Sequence, residues 1–279
     1  MTKRNKKLPE ELLTMEDVKS IANETQNLRD RAFVLFLYES GARIGEIMSI
    51  RVKDFESDKY GAKVLIPKGK TGSRKIRIIA SAPALSIWLL QHPDRKNKNS
   101  LLFCGISNYK RGENVVYQNY RMILKKVALK AGIDKPVNPH HFRHSRATEL
   151  AKKLTEAQLC EYLGWVIGSK EAATYVHLSG RDMDSTMLSL HGIIDEKSAK
   201  DEFISIECPR CGMKNDPSAK FCSGCSLGLD EKSVMEYDRQ KEIATKIGYD
   251  FQKLFNDPSF KEQILNMLAD EWKKRQITG

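Results

Sequence analysis

The chain has 279 residues, 41% hydrophobic and 30% charged, which is the make-up of a soluble globular protein with one substantial core and room for a small satellite. Its 47 Lys and Arg against 36 Asp and Glu leave a net charge of +11, favouring a polyanionic partner, nucleic acid first and an acidic membrane surface second. No apolar run approaches the roughly 20 residues of a membrane span, and the basic start MTKRNKKLPEELL leads into no hydrophobic segment, so a cytoplasmic location is expected.

Residues 1–13 read as a loose basic arm. Thr14 and Asp17 form a capping-box pattern opening a helix over MEDVKSIANE, and the strongly apolar RDRAFVLFLYES makes a second helix that stops at Gly41. In ARIGEIMSI, Ile44, Ile47 and Met48 are a short helical core stripe, with Arg43 and Glu46 three apart and able to face one another. GAKVLIPKGKTGSRKIRIIAS has two β-branched runs around a Gly- and Lys-rich turn and predicts a β-hairpin over about 62–79. A helix opening at Pro83 and ending near His92, the polar loop PDRKNKNS, and a basic-faced helix from Val115 to Ala131 follow.

NPHHFRHSRATEL comes next. Asn138 and Pro139 are an N-cap and first-turn pair, and His140, Arg143, Ala147, Leu150 and Leu154 recur on one helix face. The small and apolar members make that face the buried one, which sets Arg143 and His140 at its leading edge, near the positive end of the helix dipole. An arginine there needs an anion, a protein carboxylate or a ligand phosphate. His140 and His144 have the i, i+4 spacing of a helical zinc pair. Arg143 lies between them and no glutamate is adjacent, so the phosphate reading is preferred to a metal one. After a helix over TEAQLCEYLG, the chain runs through WVIGSKEAATYVHLSGRDMDSTMLSLHG to a polar linker, 193–205, and then to CPRCGMKNDPSAKFCSGC. Residues 230–279 read as helical with a break at NDPS.

Of the six cysteines, Cys104 and Cys160 are isolated and read as buried thiols. Cys208, Cys211, Cys222 and Cys225 form two CxxC knuckles, the donor set of a tetrahedral, closed and therefore structural zinc site, with Gly212 and Gly224 easing the turns; redox disulfides are the alternative. So short a span, about 206–229, depends on its metal to fold.

Four stretches together resemble the tyrosine recombinases, or phage-type integrases: ESGARIGEIMSIR, GKTGSRKIRI, PHHFRHSRATEL and LGWVIGSKEAATYVHL, in the family's order across residues 14–192. Singly, each has a plain structural explanation: Arg43 and Glu46 as a surface pair, Lys70 as one of several hairpin lysines, Tyr175 as one of nine tyrosines. Their joint occurrence is the signal. The resemblance implies a mainly α (α+β) catalytic domain with a β-hairpin, followed here by a small four-cysteine zinc ribbon and C-terminal helices. It also implies site-specific DNA recombination or integration of a mobile element, through a 3′-phosphotyrosine. Tyr175 would be the nucleophile, Arg43 and Arg143 the clamp on the non-bridging oxygens, His140 the proton-transfer and phosphate-binding residue, and Lys70 the general acid. Trp165 would pack or hydrogen-bond at the phosphate, and Glu46 would support Arg43.

Neither ATP nor a catalytic metal is implied, because the phosphotyrosine conserves the bond energy and neither a P-loop nor a carboxylate metal cluster stands in the sequence. Double-stranded DNA is the implied partner, with four protomers on two duplexes in the nucleoid, exchanging the segment RDMDSTMLSLHG. The family's usual N-terminal core-binding domain would have to fit into the thirteen or so residues before the first helix, and a non-catalytic remnant or regulator is one alternative. A type IB topoisomerase activity is another.

Overall fold

The second helix sets the architecture. In the computed structural model, which describes residues 12–69, 72–178, 187–188, 191 and 203–277, the chain divides into two units, 1–219 and 220–279. Helix α1 (Met15–Asn23) carries the Thr14–Asp17 capping box, and α2 (Leu28–Ser40) opens on Asn27, whose side chain accepts from the Asp30 amide. Ala32, Phe33, Val34, Leu35, Phe36 and Leu37 are all fully buried, so α2 has no solvent face; it packs on α1 and on two later helices, α4 (Ala82–Leu90) and α6 (Pro139–Ala151). It ends at Gly41 in the left-handed conformation, φ +54°.

The short α3 (Ile44–Ile47) follows. The expected hairpin is present as β2 (Gly61–Gly69) and β3 (Gly72–Ile78), and β1 (Phe55–Asp58) adds a third antiparallel strand in the order β1-β2-β3. Burial along β3 alternates: Arg74, Ile76 and Ile78 point inward while Ser73 and Lys75 are exposed. The buried Glu39 carboxylate at the end of α2 accepts from the amides of Ile79, Ala80 and Ser81 and from Ser81 Oγ at 2.6–3.0 Å, tying the strand exit to the central helix.

Helix α5 (Tyr117–Lys130) completes the main core through Tyr120, Leu124 and Val127. In α6 the Asn138 side chain accepts from the His141 amide, as its N-cap position requires. Arg146 on α6 donates to Glu39 O and pairs with Glu149, which also accepts from Tyr38, so α6 is fixed on α2. Helices α7 (Glu156–Leu163) and α8 (Lys170–Leu178) pack on α6 and on each other around a second, smaller core of Ala147, Ala151, Leu159, Cys160, Leu163, Trp165, Ala172 and Tyr175. Both isolated cysteines are buried, and burial pushes each thiol upward.

The strand pair β4 (Ile206–Glu207) and β5 (Lys214–Asn215) carries the first CxxC knuckle, and Asp216 and Ser218 beyond it hydrogen-bond Arg31 of α2 at 2.8–3.2 Å. In the other unit, Phe221 meets Tyr237 edge-on at the start of α9 (Glu231–Asn256), and α10 (Pro258–Ile277) follows the expected break. No residue of α9 is buried, and Ile243, Ile247, Phe251 and Leu254 are exposed along it. Residues 1–11 of the basic arm, the tip of the β2–β3 turn, and most of both the proposed exchange segment and the linker lie outside the described residues.

Candidate active site

Two glycines and an arginine build one wall. Gly41 ends α2, and Gly164 ends α7 with φ +66°; Arg143 reaches between the two helix ends, donating from Nη1 to Gly41 O at 2.7 Å and from Nη2 to Leu163 O at 2.9 Å. Both carbonyls sit at the negative ends of helix dipoles, where a cation is favoured. The guanidinium is buried, and burial together with the neighbouring Arg43 pushes its pKa down to about 10.

The opposite wall is a carboxylate bridge. Arg43 caps α3; its amide and Nη1 donate to Glu46 at 3.0 and 3.1 Å, and Nη1 also reaches Gly164 O at 3.3 Å. The second partner of Glu46 is Arg74 on β3, which donates from Nη2 at 2.8 Å and from Nε to Tyr162 O at 2.9 Å. Burial alone would raise the Glu46 pKa, but the hydrogen bond and charge of Arg74 and the hydrogen bonds of Arg43 outweigh it and hold the carboxyl below the ordinary range. A Cβ on Gly164 would lie 2.6 Å from Arg74 Nη1, and one on Gly69 3.2 Å from both that atom and Glu46 Oε1, so the hairpin reaches this cluster through its glycine flank. Lys70, at the turn itself, lies outside the described residues.

Between the walls stands a column of rings. Trp165 stacks on Tyr175 with centroids 5.2 Å apart and planes 10° from parallel, and its other neighbour is Arg143, whose guanidinium carbon lies 5.2 Å from the indole ring. The Tyr175 hydroxyl is hydrogen-bonded to Nδ1 of His144, whose ring meets that of His140 edge-on at 4.1 Å. Burial pushes the Tyr175 pKa up to about 12, with Arg143 opposing. His140 is exposed, whereas its chain neighbour His141 is buried, 1% exposed. Trp165 Nε1 and Arg74 Nη1 are buried donors without a hydrogen-bond partner among the described residues. Trp88, by contrast, is as buried and gives its Nε1–H to Leu102 O. The indole donor, stacked on Tyr175 and next to the Arg143 guanidinium, is thus short of an acceptor among the described residues, which an oxyanion would supply.

Of the residues singled out from the sequence, Arg43, Glu46, His140, Arg143, Trp165 and Tyr175 therefore come together around one site. Two more, Arg74 and His144, belong to the same cluster. Arg74 sits in register with the inward-facing Ile76 and Ile78, so strand alternation was the signal for it. His144 is one turn beyond His140 on the same face, and the metal argument that set the pair aside also hid its contact with Tyr175.

The sulfur atoms of Cys208, Cys211, Cys222 and Cys225 all lie within 4.8 Å of one another. A tetrahedral zinc with Zn–S near 2.3 Å needs sulfurs roughly 3.8 Å apart, so the donor set and its spacing fit.

The described fold is a helix-rich domain with a small antiparallel sheet, in which two arginines, a tryptophan and a tyrosine gather in one cluster. The chain belongs to the phage integrase family, whose model matches residues 11–181, well over half of its length. It is 28% identical over 163 residues to the tyrosine recombinase XerA of Pyrococcus horikoshii, 29% identical over 178 residues to XerD of Corynebacterium glutamicum, and 26% identical over 190 residues to transposase A of transposon Tn554 from Staphylococcus aureus. These alignments cover 57%, 59% and 64% of this chain, and 55%, 53% and 52% of the relatives, so the chain spans about half the length of the curated relatives it matches. The fold is that of the XerA recombinase crystal structure (TM-score 0.52, 21% identity, 68% of this chain and 65% of that one). It is also that of XerH bound to palindromic difH substrate in a post-cleavage complex (TM-score 0.52, 20% identity, 64% and 53%).

Proposed function

We propose that the protein is a site-specific DNA strand transferase that breaks and rejoins a phosphodiester through a 3′-phosphotyrosine at Tyr175, as the names of its relatives suggest. The observation that carries this reading is the stacking of Tyr175 on Trp165, whose buried Nε1–H has no acceptor among the described residues and whose ring lies 5.2 Å from the guanidinium of the buried Arg143. A scissile phosphate there would accept from Arg143, Arg43 and Trp165 Nε1, which stabilise the charge that builds up on the non-bridging oxygens. Glu46 and Arg74 hold Arg43 in place, and His140 assists proton transfer and phosphate binding. Lys70 protonates the departing 5′-oxygen. Because the covalent intermediate conserves the bond energy, the reaction needs neither ATP nor a catalytic metal.

In this reading residues 14–192 are the catalytic domain, 206–229 a zinc ribbon that stabilises the fold, and 230–279 a helical extension. Four copies act on two DNA duplexes in the cytoplasm, at the nucleoid. No described helix is long and apolar enough to cross a membrane.

The test is covalent trapping on nicked suicide duplexes selected from a randomised pool. A protein–DNA adduct that disappears in Tyr175→Phe is expected; an adduct that persists in that variant overturns the nucleophile, and a selected site bound without any adduct marks a non-catalytic DNA-binding protein. Relaxation of plasmids without site preference would favour a topoisomerase. Metal analysis should give one zinc per chain, lost in Cys208→Ser and Cys222→Ser.

A further inference from the structure

Strand transfer needs a group to take the tyrosine's proton, and the sequence pattern alone offers His140 for it. The geometry offers another. Tyr175 Oη is hydrogen-bonded to His144 Nδ1, while Trp165 lies on its face, Arg143 lies beyond the indole, and Glu171, one turn back on α8, acts on it through its charge. Indole and guanidinium have donors only and cannot accept a proton. Glu46 is committed to Arg43 and Arg74. The contact is built into the packing: α6 and α8 belong to one small core, and Trp165 holds the phenol ring from one face while the imidazole meets its hydroxyl.

We propose that His144 is the general base for Tyr175, a proton acceptor distinct from His140. This rests on the strand-transfer reading of the site and adds a residue to it. In the resting state His144 is the Nε2–H tautomer and accepts from the phenol through Nδ1. As Tyr175 Oη forms its bond to phosphorus, the phenolic proton passes to Nδ1 and leaves an imidazolium. The P–O5′ bond breaks, and its electron pair leaves with the 5′-oxygen, which takes a proton from the general acid. On rejoining, the 5′-hydroxyl returns its proton to the deprotonated general acid as it attacks phosphorus, the P–Oη bond breaks, and the His144 proton returns to the tyrosine. His140, 4.1 Å away ring to ring, stands exposed on the helix turn before His144. A base is needed here because burial pushes the hydroxyl's pKa further above neutrality, so the free phenolate is scarce at neutral pH.

The experiment measures single-turnover adduct formation on the selected suicide duplex by wild type, His144→Ala, His144→Asn and His140→Ala, with DNA affinity followed by gel shift. His144→Ala should lose roughly 10²–10⁴-fold in rate at unchanged affinity, the range of general acid–base catalysis. Imidazole in the buffer should restore part of that rate, and more basic methylimidazoles should restore more. A duplex with sulfur in place of the bridging 5′-oxygen, whose leaving group needs no acid, should leave the defect intact. His144→Asn keeps a hydrogen-bond acceptor for the tyrosine but no basic nitrogen, so it should fold and be equally slow. Wild-type speed in either His144 variant overturns the proposal. So does a slow His144→Ala that ignores imidazole, or an imidazole rescue seen in His140→Ala alone. Absence of any adduct with wild type would remove the strand-transfer reading itself; a normal wild-type adduct with a fast His144→Ala removes this proposal and leaves that reading standing.

Discussion

The two walls of the site treat their arginines in opposite ways. On the hairpin side Glu46 neutralises Arg43 and Arg74 together, at 3.1 and 2.8 Å. On the α6 side Arg143 forms no ion pair among the described residues and is held by two main-chain carbonyls at the ends of α2 and α7. A carboxylate satisfies a guanidinium's charge, whereas carbonyls satisfy its donors and leave the charge uncompensated in a buried place. Arg143 is thus the residue whose stability improves when an anion arrives, and Arg43 is the one kept in position beforehand.

The strongest way to break this contrast is to remove Arg143. Arg143→Ala should lower the rate of adduct formation by about 10²–10³-fold, the usual cost of deleting a preorganised charge-stabilising donor. Orthovanadate, a tetrahedral oxyanion, should raise the melting temperature of wild type and not that of the variant. A vanadate shift that survives in Arg143→Ala would mean the anion site lies elsewhere.

Glu46→Gln sharpens the other side. The amide keeps the shape but leaves Arg43 and Arg74 without their shared counter-charge, and a drop of about 10–100-fold in cleavage is expected, as for other groups that orient a reactive residue. The pH dependence has a definite sign. The folded-state pKa of Glu46 lies below its ordinary 4.5, so its stabilising contribution is present above that value and is lost as pH falls through the folded pKa. The gap in unfolding free energy between wild type and Glu46→Gln, measured in urea, should therefore close on acidification below about pH 4.5. A gap that stays constant would show that Glu46 titrates alike in the folded and unfolded chain.

Local grammar made much of this legible. The Thr14–Asp17 box, the Asn138 cap, the Gly41 stop and the Arg43–Glu46 spacing each depend on residues within a turn of one another, and each has the expected geometry. The third strand was missed because FESD alternates weakly and its partners, Lys75 for Glu56 and Arg77 for Asp58, come from the far strand of the sheet. Arg74 was one basic residue among several, and it differs from Lys75 only in facing inward, onto a carboxylate 28 positions earlier. His144 shows the limit most clearly. Its spacing from His140 is a sequence fact, but its contact with a tyrosine 31 positions away is made by the packing of α8 on α6, which no local pattern encodes.

Between the two walls, Gly164 is the joint. Its left-handed φ already disfavours a side chain, and a methyl group there would meet the Arg74 guanidinium at 2.6 Å while its own carbonyl is held by Arg43. Gly164→Ala should cost about 1–3 kcal/mol of stability, lowering the melting temperature by several degrees, and should slow cleavage about tenfold by displacing both arginines. A normal melting temperature would show that the α7 end can rotate away from the hairpin without strain.

The smallest effect belongs to the indole. Trp165 contributes a ring that braces Tyr175 and an N–H that finds no acceptor among the described residues, and Trp165→Phe separates the two. The phenyl ring keeps the stack, so the tyrosine stays in place; the lost N–H removes one hydrogen bond to a bound phosphate, and cleavage should fall a few-fold to about tenfold, in line with roughly 1 kcal/mol for a single bond. Stability should hold or rise, because a buried donor that is unsatisfied before substrate binds has been taken away. Trp165→Ala, by contrast, removes the brace as well and should cost about 3–5 kcal/mol in folding. If Trp165→Phe is more stable and cleaves at the wild-type rate, the unsatisfied N–H is a cost of packing a large ring beside Arg143. If it is more stable and slower, the N–H is held in reserve for the phosphate, and both walls of the site are then completed by the same anion.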